Sequence, residues 1–291
     1  MQPWLIFATG AAVFAALTTI LAKVGLKNVD SHLATAIRTM VVLAFAWLMV
    51  FVVGAQHEVF TATGRNWVFL VLSGLAAGAS WLCFFRALQL GNVNKVVPID
   101  KSSTIMTMIL AFIFLREPLG AVMIIGMALI GIGTWLMIEK KPAGQEETPS
   151  KYSWLFFAIF AAIFASLTAI LGRIGIEGIN ANLGTAIRTM AVVPMSWLMV
   201  FITKGQHSIR KIDRKSWLFL VLSGVATGAS WLMFYRALQL GNASLVVPID
   251  KLSIVLTMGF ARAFLSERFT KRSLFGLFLL TIGTLLPVVF S

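Results

Sequence analysis

Apolar stretches long enough to cross a bilayer, which takes about 20 residues per helix, recur along the chain at about 4–26, 31–53, 67–90, 92–115 and 119–138. They recur again at those positions plus 150. Polar residues fall into the short intervals between them, so the pattern predicts ten transmembrane helices joined by tight connections. One interval differs: residues 139–151 include Lys140, Lys141, Pro142, Gly144, Glu146, Glu147 and Pro149, the composition of a linker.

The offset of 150 is a true internal repeat. Ala36-Ile37-Arg38-Thr39-Met40 returns at 186–190, Gly78-Ala79-Ser80-Trp81-Leu82 at 228–232, and Arg86-Ala87-Leu88-Gln89-Leu90-Gly91-Asn92 at 236–242. Over positions 4–138, 68 of 135 residues equal their partner 150 later. Five spans per copy is an odd number, so the second copy must enter the membrane from the opposite side. The expected fold is an all-α membrane protein of ten transmembrane helices, built as two inverted five-helix repeats. The first module is expected over 1–138, the linker over 139–151 and the second module over 152–291.

Basic residues give an independent reading of orientation, because Lys and Arg concentrate in cytoplasmic connections. With the N-terminus outside, fifteen basic residues fall at inside positions and four (Arg65, Arg116, Arg173 and Arg236) at outside ones. The copies differ where inversion requires it: 54–66 holds one basic residue and its counterpart 204–216 holds five. Both termini are therefore expected on the outer face of a multi-pass protein of the cell (inner) membrane. The first span lacks a basic segment before it and is copied at 154–176, so it reads as a permanent helix rather than a cleaved signal.

Composition agrees: 59% of residues are hydrophobic, 12% are charged and the mean hydropathy is +0.90, far from the balance of a soluble domain. The net charge of +13 is accounted for by topology and lipid headgroups rather than nucleic acid. Cys83 is the one cysteine, so no internal disulfide or Cys-based metal site is expected. His32, His57 and His207 lack metal-ligand spacing. No phosphate-binding glycine loop or nucleophile elbow is present, so neither an enzyme nor a cofactor is expected.

Ionisable residues at membrane depth are costly and point to function by default. Here they come in repeated pairs: Asp100-Lys101 and Asp250-Lys251 in the fourth span of each copy, and Arg38 and Arg188 seven residues into the second, about 10 Å deep. One reading gives the aspartates a substrate amine or a coupling proton, with the lysines and arginines holding a carboxylate. The other makes them a structural ion-pair network. Four basic groups against two acidic leave +2, which suits an anionic or zwitterionic ligand better than a lipophilic dication. Trp81, Trp231 and Tyr235 place aromatics on the third spans, as pocket walls or as lipid-facing packing. Trp4, Trp67, Trp154 and Trp217 read as interfacial belt residues, and the serine- and glycine-rich stretches 73–80 and 223–230 as close-packing faces. Pro98 and Pro248 are placed to break or kink the fourth span, and Glu117 and Glu267 read as caps or loop ion pairs at its end.

Phe85-Arg86-Ala87-Leu88-Gln89-Leu90-Gly91-Asn92, the helix ending Phe114-Leu115-Arg116-Glu117-Pro118-Leu119, Arg38, and the Gly126…Gly131-Ile132-Gly133 pattern resemble the EamA-like module of the drug/metabolite transporter superfamily. Tyr235-Arg236-Ala237-Leu238 and Phe264-Leu265-Ser266-Glu267-Arg268 repeat the likeness in the second copy. The chain departs from that pattern at Thr104 and Ile254, where such modules usually carry proline. It also lacks the first-helix glutamate of the related small multidrug resistance proteins. The resemblance implies a ten-helix transporter whose first four spans in each half surround a central site. The expectation is a secondary-active exporter of small amino-acid-like or other polar metabolites, working by alternating access with a proton as a candidate coupling ion. Rival readings are a multidrug or lipophilic-cation exporter and a non-transporting channel or scaffold. The expected partners are a small-molecule substrate, protons and the lipid bilayer, with no nucleic acid, and the chain is expected as a monomer or homodimer.

Overall fold

A computed structural model of the chain describes residues 2–25, 29–90, 96, 99, 102–137, 153–265 and 270–290. All regular elements among them are helical. The first half holds α1 (Pro3–Gly25), α2 (Ser31–Val52), α3 (Gly64–Leu90), α4 (Ser103–Leu115) and α5 (Ala121–Met137). The second holds α6 (Ser153–Gly175), α7 (Ala181–Ile202), α8 (Arg214–Leu240), α9 (Ala243–Lys251), α10 (Ser253–Leu265) and α11 (Lys271–Val289). Taking Ala243–Phe260 as one span, eight helices are long and apolar enough to cross a membrane, and α4 and α5 are shorter apolar helices. That is the ten-span all-α plan.

Polar side chains start these helices where the sequence turns. Asp30 accepts from the backbone N–H of His32 and Leu33 at the head of α2, and Asn180 accepts from Asn182 at the head of α7. Asp213 accepts from Lys215 and Ser216 at α8; the bonds from Ser216 hold its carboxyl below the usual carboxylate range. Each cap satisfies donors that the first helical turn leaves free.

The halves interleave rather than pack as separate bundles. α1 runs along α8 and α6 along α3, α5 pairs with α11, and α2 with α7. Ser230 Oγ donates to Ala11 O and Ser223 Oγ to Thr18 O (2.9 and 3.0 Å), so α1 and α8 are antiparallel. Ser80 Oγ to Ala161 O (2.9 Å) and Ser73 Oγ to Thr168 O (2.7 Å) repeat the same contacts between α3 and α6. The matching faces are alanine-rich: Ala8, Ala11, Ala12 and Ala16 on α1 are buried, as are Ala158, Ala161, Ala162 and Ala169 on α6. Small residues let backbones approach in lipid, where apolar burial alone drives little helix association, and interhelical hydrogen bonds then add to packing. Large apolar side chains such as Phe51, Phe114, Phe201 and Phe278 point outward, as lipid-facing positions should.

The inversion is visible in what meets what. Glu58, Asn66 and Glu117 of the first half meet Asn180, Gly175 and Ser244 of the second at one end of the bundle. At the other end, Gly205 approaches the Asp30 side chain and Gly25 packs on Leu220. Trp4 corrects its reading as a belt residue, since it is buried against Gly241.

The fourth span of the second half is broken. α9 ends after Asp250-Lys251, and Leu252 N donates back to Ile249 O at 2.9 Å, a three-residue step, before α10 begins. Pro248 lies inside α9 and has no N–H for the carbonyl of Ser244, four residues earlier. The break falls four residues beyond the proline, directly after the charged pair. In the first half, the equivalent Ser102 N donates to Ile99 O at 3.2 Å, so the irregularity is repeated there.

Candidate functional site

α2 and α7 meet between the halves and each brings an arginine to mid-depth. Counted from opposite ends of the bundle, Arg38 and Arg188 both lie about 10 Å in, at 1.5 Å per residue. Their surroundings are made largely by α8, where Thr227, Trp231 and Tyr235 follow one another at four-residue intervals and so share one face.

Arg188 is 4% exposed. Its Nε donates to Ser73 Oγ on α3 at 3.2 Å, and Ser73 in turn donates to Thr168 O. The guanidinium lies over two α8 rings, with Cζ 4.8 Å from the centroid of Trp231 and 5.3 Å from that of Tyr235. Such cation–π contacts gain strength when desolvated, to about 2 kcal/mol. Arg188 Nη1 is buried and, among the described residues, has no hydrogen-bond partner. Arg38 is partly buried; its Nη2 donates to Thr227 Oγ1 at 2.9 Å, and its buried Nε is unpartnered among the described residues. Neither guanidinium pairs with a carboxylate among the described residues.

The repeat supplies an internal comparison. Arg38 and Arg188 are equivalent, as are Ser73 and Ser223, Thr18 and Thr168, and Trp81 and Trp231. The copies differ at two α8 positions that hold the arginines: Thr227 replaces Ala77, and Tyr235 replaces Phe85. A third difference compensates. A Cβ at Gly172 would lie 2.5 Å from Tyr235 Cε1 and 2.9 Å from its hydroxyl oxygen, and the sequence equivalents of Gly172 and Tyr235 are Ala22 and Phe85. Glycine therefore makes room for the larger ring.

Of the residues singled out from sequence, Arg188, Trp231 and Tyr235 come together, and Arg38 joins them along the same α8 face. Trp81 is partly buried, and among the described residues no cation lies over it. Asp250 and Lys251 end α9 at the break of the fourth span, both partly buried. Asp100, Lys101, Pro98 and Glu267 lie outside the described residues. Thr227, Ser73 and Gly172 were not singled out as site residues. Ser73 and Thr227 lie in stretches read as packing, and Thr227 is also a place where the copies differ. No group of three His, Cys, Asp or Glu side chains is arranged for a metal among the described residues.

Glu117 is buried and does what a cap should, but for the other half. Its two oxygens accept from Ala243 N at 2.7 Å, Ser244 N at 2.8 Å and Ser244 Oγ at 2.5 Å, closing the N-terminus of α9. On the same end of the bundle Glu58 accepts from Asn180 N (2.5 Å), Asn66 Nδ2 donates to Gly175 O and Glu177 O (2.8 Å each), and exposed Arg65 and Glu177 pair at 3.7 Å. Among the described residues, four polar links thus tie the halves together there. At the opposite end, the positions equivalent to Glu58, Arg65 and Asn66 are Ser208, Lys215 and Ser216, so three of those links have no repeated counterpart.

Ten apolar spans in two inverted copies, with paired cations at mid-depth between them, are the structure of a membrane transporter. The EamA-like transporter family model matches residues 2–139 and again residues 152–289, and the chain belongs to that family. A Sinorhizobium protein described as an uncharacterized transporter in a cobO 3' region is 44% identical over 138 residues, covering 47% of this chain and 98% of that one. Solute carrier family 35 member G1 of Mus musculus is 25% identical over 207 residues, covering 68% of this chain and 55% of the mouse protein. A solved crystal structure superposes with a TM-score of 0.82 at 16% identity, covering 99% of this chain and 96% of the other, a likeness of fold.

Proposed function

We propose that the protein is a secondary-active exporter of a small, carboxylate-bearing polar metabolite of amino-acid-like size, moved by alternating access of the two inverted halves around the Arg38–Arg188 site. The observation that carries this reading is the Arg188 guanidinium. It is buried and positioned by Ser73, Trp231 and Tyr235, yet its Nη1 has no hydrogen-bond partner among the described residues. A buried donor on a charged group costs free energy unless something accepts from it, and a substrate carboxylate is the acceptor of matching charge and geometry. Lipophilic cations fit poorly, since they would meet two guanidiniums in a low-dielectric setting. The broken fourth span supports a site at this level, because irregular backbone in a membrane is tolerated where it is buried in protein or lines a polar path.

In this reading Asp250, with its sequence counterpart Asp100, takes up the coupling proton. The interhalf links at the Glu58, Asn66 and Glu117 end hold that end closed while the other opens. The chain is placed in the inner membrane with both termini and this linked end on the outer face, following the fifteen-to-four distribution of basic residues.

The deciding experiment uses purified protein in proteoliposomes. Saturable counterflow of carboxylate metabolites, with Asp100→Asn/Asp250→Asn abolishing its pH dependence, is the expected result. Thermal stabilisation in detergent by lipophilic cations but by no amino or carboxylic acid would reject the substrate class. Unchanged rate and pH dependence in the double variant would reject the proton role.

A further inference from the structure

We infer that the two arginines act together as one two-pronged anion site, so that the substrate class is a small molecule carrying two anionic groups, such as a short dicarboxylate or an acidic amino acid. This rests on the transport reading above and narrows it. Three observations converge on it.

The first is position. Both guanidiniums reach α8: Arg38 is bonded to Thr227, and Arg188 lies over Trp231 and Tyr235. The Arg38 contact follows the two-fold relation, since α2 packs on α8 as α7 packs on α3, where Arg188 donates to Ser73. Thr227 adds an acceptor that its counterpart on α3, Ala77, lacks. Thr227 to Trp231 is about 6 Å of helix rise and Thr227 to Tyr235 about 12 Å, so the α8 contact points of the two cations lie about 6–12 Å apart along one helix face. Two carboxylates joined by a short carbon chain, with a charge-assisted hydrogen bond of about 2.8 Å at each end, bridge a gap of that size.

The second is unused bonding capacity. Each guanidinium keeps one buried N–H group without a partner among the described residues, Nε on Arg38 and Nη1 on Arg188. One monoanion at one arginine would leave the other in the same unsatisfied state.

The third is charge. Counted along the sequence, Lys101 and Lys251 match Asp100 and Asp250 in number, which leaves Arg38 and Arg188 as a surplus of +2 among these six groups. A ligand with two negative charges neutralises it, whereas a monoanion leaves a net cation at mid-membrane, where a charge is costly.

The test is a ligand titration of the full-length protein in detergent, read by thermal shift and calorimetry. It uses succinate, 2-oxoglutarate and glutamate against butyrate and alanine. The two-anion ligands are expected to bind at least about tenfold more tightly than butyrate. Arg38→Gln and Arg188→Gln should each weaken them by roughly 10–100-fold, the value of one hydrogen-bonded charge contact. Thr227→Ala, which installs the residue already accepted at position 77, should weaken two-anion ligands by a larger factor than it weakens butyrate. It serves as the readout if an arginine variant fails to fold. Butyrate binding as tightly as succinate, or either arginine proving dispensable for succinate, would overturn the two-pronged site and leave the carboxylate transporter intact. Tight two-anion binding without any counterflow in proteoliposomes would instead reject transport and leave the site.

Discussion

The ring of Tyr235 fills the space that a side chain at residue 172 would need: a Cβ on Gly172 would lie 2.5 Å from Tyr235 Cε1. The first half carries Ala22 and Phe85 at the equivalent positions, so the two copies differ at both members of this contact. The difference puts a tyrosine ring under Arg188.

Gly172→Ala is therefore expected to destabilise the protein by about 1–3 kcal/mol, the usual range for overpacking, and to weaken anion binding by displacing Tyr235. Tyr235→Phe in the same chain should recover part of the stability, because that combination already exists in the first half. Thermal unfolding of the two single variants and the double variant gives the coupling directly; additive losses would break the proposed contact.

Glu117 accepts three hydrogen bonds from the start of α9. Glu117→Ala leaves those donors unsatisfied, with an expected loss of about 2–3 kcal/mol. Glu117→Gln should lose less, because the amide oxygen still accepts. Both should raise the labelling rate of a cysteine introduced at Thr61 if this link helps close that end. Equal stability of the Ala variant and the parent would show that the cap is idle.

Lys204 has φ +56° where the first half has Gly54 at φ +71°. An L residue in that region costs about 1–2 kcal/mol, a strain the chain bears at an end rich in Lys and Arg. Lys204→Gly should gain about 1 kcal/mol in thermal unfolding. It also removes one of five basic residues from 204–216, so a reporter fused there should show weaker orientation bias in a background with Arg210, Lys211, Arg214 and Lys215 neutralised.

α5 and α11 cross through four glycines. Cβ atoms at Gly126 and Gly133 would lie 2.7 and 2.6 Å from Gly283 O and Gly276 O, and Gly276 and Gly283 face the reciprocal carbonyls. Gly133→Val must separate the helices, because backbone cannot yield as a flexible side chain can. It should cost about 2 kcal/mol or more while leaving the affinity for anions unchanged, since this crossing lies away from Arg38 and Arg188.

The spans and their inversion were legible because bilayer length and basic-residue bias act on composition, which a single sequence displays. Glu117 as a cap was legible from its place at a helix end. That it caps α9 of the other half was not, because nothing local in the sequence says that the modules interleave. The arginines stood out by depth, but Thr227 and Gly172 carry no chemical signature, and their roles emerge only when α8 is placed beside α2 and α6. A break in the fourth span was legible from Pro248, which put the irregularity near Asp250; its exact residue was not, because a proline releases a carbonyl one turn behind it, while the three-residue step that ends α9 falls at Leu252.

If Arg188 and Arg38 hold the carboxylates of a transported substrate, counterflow into proteoliposomes with a panel of labelled amino acids and dicarboxylates will show it. The expected result is saturable exchange of at least one acidic member, lost in both Arg188→Gln and Arg38→Gln protein of wild-type fold. Saturable exchange that survives both substitutions, or non-saturable flux alone, would contradict it.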